Sequence, residues 1–109
     1  MSLELPPVVA AYFDAANKGN AESAALCFAE HAVVRDEGRD MRGRAAIRAW
    51  KEESHDKYAP VATPLEASES GSQLTVIAQV AGIFPGSPLR LRYLFTLEDL
   101  RISALEISP

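Results

Sequence analysis

The second half of the chain consists of strand-like segments joined by very short connections. Apolar and polar side chains alternate from Val61 to Ser68 and from Leu89 to Leu97, and a run of β-branched and apolar residues lies between them, from Gln73 to Phe84. A last segment of this type runs to about Ile107. Because a parallel crossover needs a dozen residues or more, connections this short predict antiparallel neighbours in one sheet.

The first half is predicted to be mainly helical, with a pair of strands before its last helix. Gly19 and Asn20 separate the first helix from the second, since glycine suits a left-handed helix end and asparagine caps a helix start. The elements predicted before the four strands are helices Val8–Lys18 and Ala21–Ala29, strands Ala32–Glu37 and Arg39–Arg42, and a helix Arg44–Lys57. This order, α-α-β-β-α-β-β-β-β, predicts the α+β class.

Composition limits the partners and the location. With 109 residues, the chain is predicted to form a single domain, 1–109. A formal net charge of -4 argues against nucleic acid and membrane as partners, because phosphate binding requires a basic field. One cysteine cannot form an internal disulfide, and the N-terminus lacks the basic start and apolar run of a signal peptide, so a cytoplasmic location is expected.

Three segments carry a resemblance to a known fold: Tyr12-Phe-Asp-Ala-Ala-Asn-Lys-Gly-Asn20, Phe28-Ala-Glu-His-Ala-Val-Val-Arg-Asp36 and Gly43-Arg-Ala-Ala-Ile-Arg-Ala-Trp50. With the order of elements, they resemble the nuclear transport factor 2-like superfamily, and most closely its SnoaL-like and ketosteroid isomerase-like members. The resemblance implies a cone-shaped, cystatin-like barrel, in which three helices wrap a strongly curved, mainly antiparallel mixed sheet. It also implies a ligand pocket inside the cone and a homodimer through the sheet face.

The same resemblance implies roles for three side chains. In the ketosteroid isomerases a tyrosine on the first helix donates a hydrogen bond to the developing enolate oxygen, and the matching residue is Tyr12. Their general base is an aspartate at the end of the first strand, which matches Asp36. A protonated aspartate on a late strand completes their oxyanion hole, and the chain departs from the pattern there, because Tyr93 occupies that position.

Asp36 is also a candidate base on physical grounds alone. Moving a proton next to a carbonyl requires a carboxylate within hydrogen-bond reach and a donor for the oxygen that gains charge. If Asp36 shares an inward face with Ala32 and Val34, partial desolvation raises its pKa toward a useful range. The alternative is that Val33 faces inward and Asp36 is a solvated residue at a strand end.

Each of the other candidate residues also has a structural interpretation. Tyr12 is either the predicted donor or a buried tyrosine packed between helix and sheet. Trp50 and Tyr93 are candidates for lining a ligand pocket, although aromatic residues at such spacing are more often core. His31 is predicted at a helix end or turn, and neither it nor His55 has a partner at metal-ligand spacing, so no metal site is expected.

Two further features are predicted to be structural. The arginines from Arg35 to Arg48 are interleaved with acidic residues, which favours a solvated face with local ion pairs. Cys27 is predicted to be a small buried hydrophobe on the second helix.

Together these features predict a small-molecule pocket protein that needs no cofactor. Its ligand is expected to be a small hydrophobic carbonyl compound. If it is an enzyme, Asp36 as base and Tyr12 as donor would support an isomerase, cyclase or dehydratase reaction. Two alternatives stay open, a non-catalytic module that binds ligand in the same pocket and an interaction domain that works through its sheet-face dimer, since one fold supports all three.

Overall fold

The computed structural model describes residues 3–109, which form three helices and six strands in the predicted order. The helices are α1 (Pro7–Asn17), α2 (Ala21–Leu26) and α3 (Gly43–Tyr58), and the strands are β1 (Phe28–Asp36), β2 (Arg39–Arg42), β3 (Val61–Ser70), β4 (Gln73–Ala81), β5 (Leu89–Glu98) and β6 (Arg101–Ser108). Across these residues, no helix is both long enough and apolar enough to cross a bilayer.

The six strands form one mixed sheet in the order β2-β1-β6-β5-β4-β3. β1 runs parallel to β6 and every other neighbouring pair is antiparallel, which confirms the arrangement predicted for the four late strands. The register shifts where β1 pairs with β6, where β3 pairs with β4 and where β5 pairs with β6, and such irregularities bend a strand. The sheet is curled around its inner face but not closed, because β2 and β3 remain as edges.

The inner face of the sheet is apolar and is covered by the helices. Cross-strand pairs such as Leu74 with Phe95 and Val76 with Tyr93 point into this face and are buried. The helices contribute Val9, Tyr12, Phe13, Ile47 and Trp50 to the same core.

Asn17, the last residue of α1, fastens the helix to the edge strand β3. Its Nδ2 donates to the carbonyl oxygen of Ala62 at 2.9 Å, and its Oδ1 accepts from the amide nitrogen of Ala62 at 2.8 Å. An amide is suited to this position because it offers a donor and an acceptor together. The contact keeps the open edge of the sheet against the helical layer.

The connection between α1 and α2 agrees with its sequence. Gly19 has a φ of +73°, in the left-handed region, and the Asn20 side chain accepts a hydrogen bond from the Ser23 amide at 3.1 Å. These contacts confirm the predicted helix end and cap.

The boundary between α2 and β1 was predicted wrongly. α2 ends at Leu26 and not at Ala29, and β1 begins at Phe28 and not at Ala32. Phe28 is fully buried and pairs with Ile102 of β6, so pairing with a distant strand overrides the local helical pattern. His31, predicted at a helix end or turn, is therefore an exposed residue within β1.

β4 ends at Ala81, three residues before the predicted end at Phe84. The chain bends away at Gly82 and passes so close to the end of α3 that a Cβ at this position would lie 2.6 Å from the carbonyl oxygen of Tyr58, an approach that glycine permits. The next amide, that of Ile83, donates to the same carbonyl at 2.7 Å. The bend brings the β4–β5 connection against the end of α3.

Candidate active site

A cavity of about 770 Å³ opens between the second half of α3, the β1–β2 turn and the β4–β5 connection. Its walls are mainly aromatic and aliphatic, with charged side chains among them. Trp50, Tyr58, Val80, Phe84, Leu91, Tyr93 and Ile107 provide apolar surface, and Asp36, Glu37, Arg39, Lys51, Glu53 and Lys57 provide charge. A volume of this size accommodates a small organic ligand.

Asp36 occupies the last position of β1 and lines the cavity. It shares a face of the strand with Ala32 and Val34, both of which are buried, and it is itself half-buried. The chain then turns through Glu37 and Gly38, which have φ values of +53° and +74°. The strand therefore holds the carboxylate on the inner face, immediately before the turn.

Trp50 of α3 fixes the orientation of this carboxylate. Its indole Nε1 donates to Oδ2 of Asp36 at 3.2 Å. Trp50 is buried because it follows Ile47 by three residues, on the helix face that packs against the sheet. The hydrogen bond joins residues 14 positions apart and connects the helix to the end of β1.

The pKa of Asp36 is raised. Burial is the largest cause, and the charge of Glu37 acts in the same direction. The hydrogen bond from Trp50 and the charges of Lys51 and Arg39 lower the pKa but do not cancel the effect of burial. A carboxylate with a raised pKa is a stronger base than a solvated one.

Lys51 is a site residue that the sequence interpretation missed. Its Nζ lies 4.5 Å from the centre of the Trp50 ring and 5.6 Å from the centre of the Tyr12 ring, and it lines the cavity. Burial lowers its pKa to about 8, although the charge of Asp36 opposes this shift. The signal was present in the sequence, since Lys51 follows the core residue Ile47 by four positions and so falls on the same helix face.

The two predicted tyrosines occupy different environments. Tyr93 of β5 lines the cavity, and burial, followed by the charge of Asp36, raises its pKa. Tyr12 of α1 is not among the lining residues. It is only 1% exposed and packs edge-on against Phe28 and Phe95, with ring centres 5.5 and 5.8 Å apart.

Burial, and then the charges of Tyr93, Asp36 and Cys27, raise the pKa of Tyr12 well above its usual value. The fold therefore brings Asp36, Trp50 and Tyr93 to one cavity. Tyr12 lies outside the cavity lining, and the Nζ atom of Lys51 lies over its ring. The donor role of Tyr12 stays a prediction.

The remaining candidates lie outside this centre. Cys27 was predicted to be buried within a helix, but it follows the end of α2 and is partly exposed, with its Sγ donating to the Ser23 carbonyl at 3.5 Å. Arg35 forms the expected ion pair, 2.9 Å from Asp40, whereas Arg44 instead donates to the Phe28 carbonyl at 2.9 Å. Residues 3–109 contain no cluster of three or more acidic, histidine or cysteine side chains placed to hold a metal ion.

The arrangement combines a base, a cation and a phenol around apolar space. Asp36 can accept a proton, Lys51 carries positive charge near it, and Tyr93 can donate a hydrogen bond because its phenol is protonated at neutral pH, a state that its raised pKa favours further. A cation and a hydrogen-bond donor fixed beside apolar surface stabilise developing negative charge more strongly than water does.

Comparisons with known proteins support the fold. Residues 9–104 match the model of the SnoaL-like domain. No curated protein matched the chain. Among solved structures, the chain is similar to a candidate polyketide cyclase from Sinorhizobium meliloti, with 42% sequence identity, a TM-score of 0.92 and 95% of both chains covered.

Two structures of lower identity share the fold alone. One, from Catenulispora acidiphila, has a ketosteroid isomerase-like fold and was solved with trimethylamine; identity is 22%, the TM-score is 0.87, and 97% of this chain and 87% of that chain are covered. The other is a candidate polyketide cyclase from Xanthomonas campestris, with 21% identity, a TM-score of 0.81, and 92% and 85% covered. With the SnoaL-like model matching residues 9–104, the chain belongs to the SnoaL-like family of the nuclear transport factor 2-like superfamily.

Proposed function

We propose that the protein binds a small hydrophobic carbonyl compound in the cavity and that Asp36 moves a proton next to the carbonyl group. The main support is the Asp36 carboxylate itself, which is half-buried, faces the cavity and is held by Trp50 at 3.2 Å. A base fixed in one orientation beside apolar space is what abstraction of a weakly acidic C–H requires.

The proposed chemistry needs no cofactor. Asp36 takes the proton from the carbon next to the carbonyl, and the C–H electron pair forms an enolate. In an isomerase, Asp36 returns the proton to another carbon of the ligand. In a cyclase, the enolate carbon bonds to a second carbonyl carbon of the same molecule, and Asp36 returns the proton to the new alkoxide. The name of the Sinorhizobium meliloti relative, at 42% identity, supports the cyclase form.

Two phenols are proposed donors to the enolate oxygen. Tyr93 lines the cavity, and Tyr12 is the donor implied by the family resemblance. Replacing each with phenylalanine removes only the hydroxyl group. A larger loss of turnover in Tyr93→Phe assigns the role to Tyr93, and a larger loss in Tyr12→Phe supports the family assignment.

Hydrogen–deuterium exchange tests the proposal without knowledge of the product. A panel of unsaturated ketones is incubated with protein in D₂O, and NMR follows exchange at the carbon next to the carbonyl. We expect Asp36→Asn to lower the exchange rate at least about 100-fold, the typical contribution of a general base. Asp40→Asn is the matched control, because Asp40 is an exposed carboxylate on the neighbouring strand and lies outside the cavity lining.

Circular dichroism establishes that both variants are folded. Unchanged exchange in a folded Asp36→Asn protein would overturn the assignment of the base.

The alternative function is binding without catalysis, and the position of Tyr12 favours it. With Tyr12 outside the lining residues, the cavity has fewer donors for an enolate than the ketosteroid isomerase pattern provides. This alternative predicts saturable binding of apolar ketones, detected by quenching of Trp50 fluorescence, without deuterium exchange. Tyr93→Leu should then weaken binding. Exchange above the solvent rate that depends on Asp36 rules the alternative out.

A homodimer through the outer sheet face is also proposed. On that face of β4 and β5, Ile77 and Leu94 are half-buried in the isolated chain and alternate with the inward residues Val76 and Tyr93. Pairing of two copies would cover these apolar side chains. Light scattering should therefore give a dimer mass for the native chain and a monomer mass for Leu94→Lys, whereas a monomeric native chain at micromolar concentration contradicts the proposal.

A further inference from the structure

The three lysines of the chain differ in their surroundings. Lys18 and Lys57 are exposed, and their Nζ atoms lie 3.1 and 3.6 Å from a carboxylate one helical turn away. Lys51 and Lys57 both line the cavity, but of the three lysines Lys51 alone lies over aromatic faces, those of Trp50 and Tyr12. Its amine alone among the three lies over aromatic rings in a ligand-sized space.

Trp50 brings this amine close to a carboxylate. The edge of its indole donates to Asp36 at 3.2 Å, while its face lies 4.5 Å from Nζ of Lys51. One aromatic side chain therefore contacts both groups, and both line the same cavity. An amine beside a proton-transfer group in apolar space is the arrangement that favours condensation with a carbonyl.

The protonation state of Lys51 suits such a reaction. Burial lowers its pKa to about 8, and the charge of Asp36 limits the fall. Among the other titratable groups, Tyr12 of α1 lies under Nζ and Tyr93 of β5 lines the same cavity, and both phenols have raised pKa values and are neutral. His55, one turn further along α3, lines a small pocket with Lys51. At pH 7 the neutral fraction of such an amine is about 300-fold larger than for a lysine with a pKa of 10.5.

We propose that Lys51 is an imine-forming residue that condenses with an aldehyde or ketone bound in the cavity. The Nζ lone pair bonds to the carbonyl carbon, and one N–H proton moves to the carbonyl oxygen to give a carbinolamine. Asp36, which has taken the proton that the Lys51 ammonium loses in becoming neutral, then donates it to the hydroxyl group, which leaves as water as the C=N bond forms. The remaining N–H proton returns to Asp36, so one carbonyl and one amine give one imine and one water.

This site goes beyond the proposed function and does not depend on it. Enolisation requires a hydrogen on the carbon next to the carbonyl, whereas imine formation requires only the carbonyl. 2-Naphthaldehyde has no such hydrogen, so it tests Lys51 while the proposed base chemistry cannot occur. Failure of deuterium exchange and failure of imine formation are therefore separate results.

The test is reductive trapping of the native protein with 2-naphthaldehyde and sodium cyanoborohydride at pH 7.5. Hydride reduces the imine to a stable secondary amine, which peptide mass spectrometry locates. We expect Lys51 to be labelled at least about tenfold faster than Lys18 and Lys57. This ratio is smaller than the roughly 300-fold difference in the neutral fraction of the amine. The N-terminal amine also reacts and is counted separately.

Variants complete the test. Lys51→Arg keeps a cation against Trp50 but forms no stable imine, so lysine labelling should fall to the level of the exposed lysines. Lys18→Met, at a position outside the cavity lining, should leave the labelling rate of Lys51 unchanged. Equal labelling of all three lysines in the native protein would overturn the proposal, and this outcome needs no variant to fold.

Discussion

Two neighbouring aromatic regions on the inner face of the sheet have opposite characters. The aromatic core cluster, defined as Tyr12, Phe13, Phe28 and Phe95, is buried, and its rings meet edge-on with centres 5.4 to 5.8 Å apart. Beside it, Trp50 faces a cavity of about 770 Å³.

The difference lies in the partners of the rings. In the aromatic core cluster α1 supplies aromatic rings that fill the space, whereas at the cavity the neighbours of Trp50 include a carboxylate and an amine. Charged groups resist complete burial, so their presence keeps this part of the interior open to ligand or water. Aromatic residues build both regions, and the carboxylate and the amine beside Trp50 distinguish the region at the cavity.

The largest expected effect concerns stability. Phe95→Ala removes a fully buried ring of the aromatic core cluster and should lower the free energy of unfolding by about 3–5 kcal/mol. Phe84→Ala removes a half-buried ring at the cavity and should cost about 1–2 kcal/mol, because the space is already open there. Urea denaturation measures both, and equal losses would show that the two regions are packed alike.

A smaller effect on stability is expected when the half-buried charge of Lys51 is removed from the cavity. Lys51→Met keeps most of the apolar volume and should raise the free energy of unfolding at pH 7 by about 1 kcal/mol, since a half-buried ammonium is only partly desolvated. Lys18→Met, at an exposed position, should change it little.

The same pair of proteins predicts a pH dependence with a defined sign. Unfolded Lys51 holds its proton up to about pH 10.5, whereas in the folded state it does so only up to about pH 8. Between these values the unfolded state binds more protons, so the native protein should gain stability with rising pH relative to Lys51→Met. Tyr12 and Tyr93 titrate in both proteins and cancel in the comparison. A constant difference from pH 7 to 10 would contradict the shifted pKa.

The smallest effect concerns the contact between Trp50 and Asp36. Trp50→Phe removes the donor that lowers the pKa of Asp36, so this pKa should rise further. The deprotonated base would then form only at higher pH. Carboxyl ¹³C NMR follows the titration of Asp36 directly, with Tyr58→Phe as a control in the same cavity. A midpoint that stays in place, or moves to lower pH, would show that the indole does not stabilise the carboxylate.

Much of the fold was predictable because it depends on local signals. Alternation and short turns specify the antiparallel strands, and Gly19 with Asn20 specifies a helix boundary. The start of β1 was not predictable in this way, because Phe28 joins the strand through its pairing with Ile102, about 70 residues later. The parallel contact between β1 and β6 is likewise invisible to any local pattern.

The site was predictable in part for the same reason. Asp36 follows from strand alternation and Trp50 from helical spacing, but the hydrogen bond between them depends on how α3 lies across the end of β1. Lys51 was missed because a lysine on a helix is usually solvated. Only its place on the same helix face as the core residue Ile47 indicates that it is partly buried. Charged residues at core-facing positions are therefore informative when a cavity is expected.

Gly82 has a consequence for ligand selection. A side chain there would press on Tyr58, Pro60 and Phe84, which come within 2.6 to 3.1 Å of its Cβ position and all line the cavity. Any larger residue must move at least one of these neighbours, and with it the wall of the cavity. The size of molecule that the protein admits can thus be altered at a position that does not line the cavity. Chains of this fold could diverge in ligand preference while every residue that contacts the ligand stays the same.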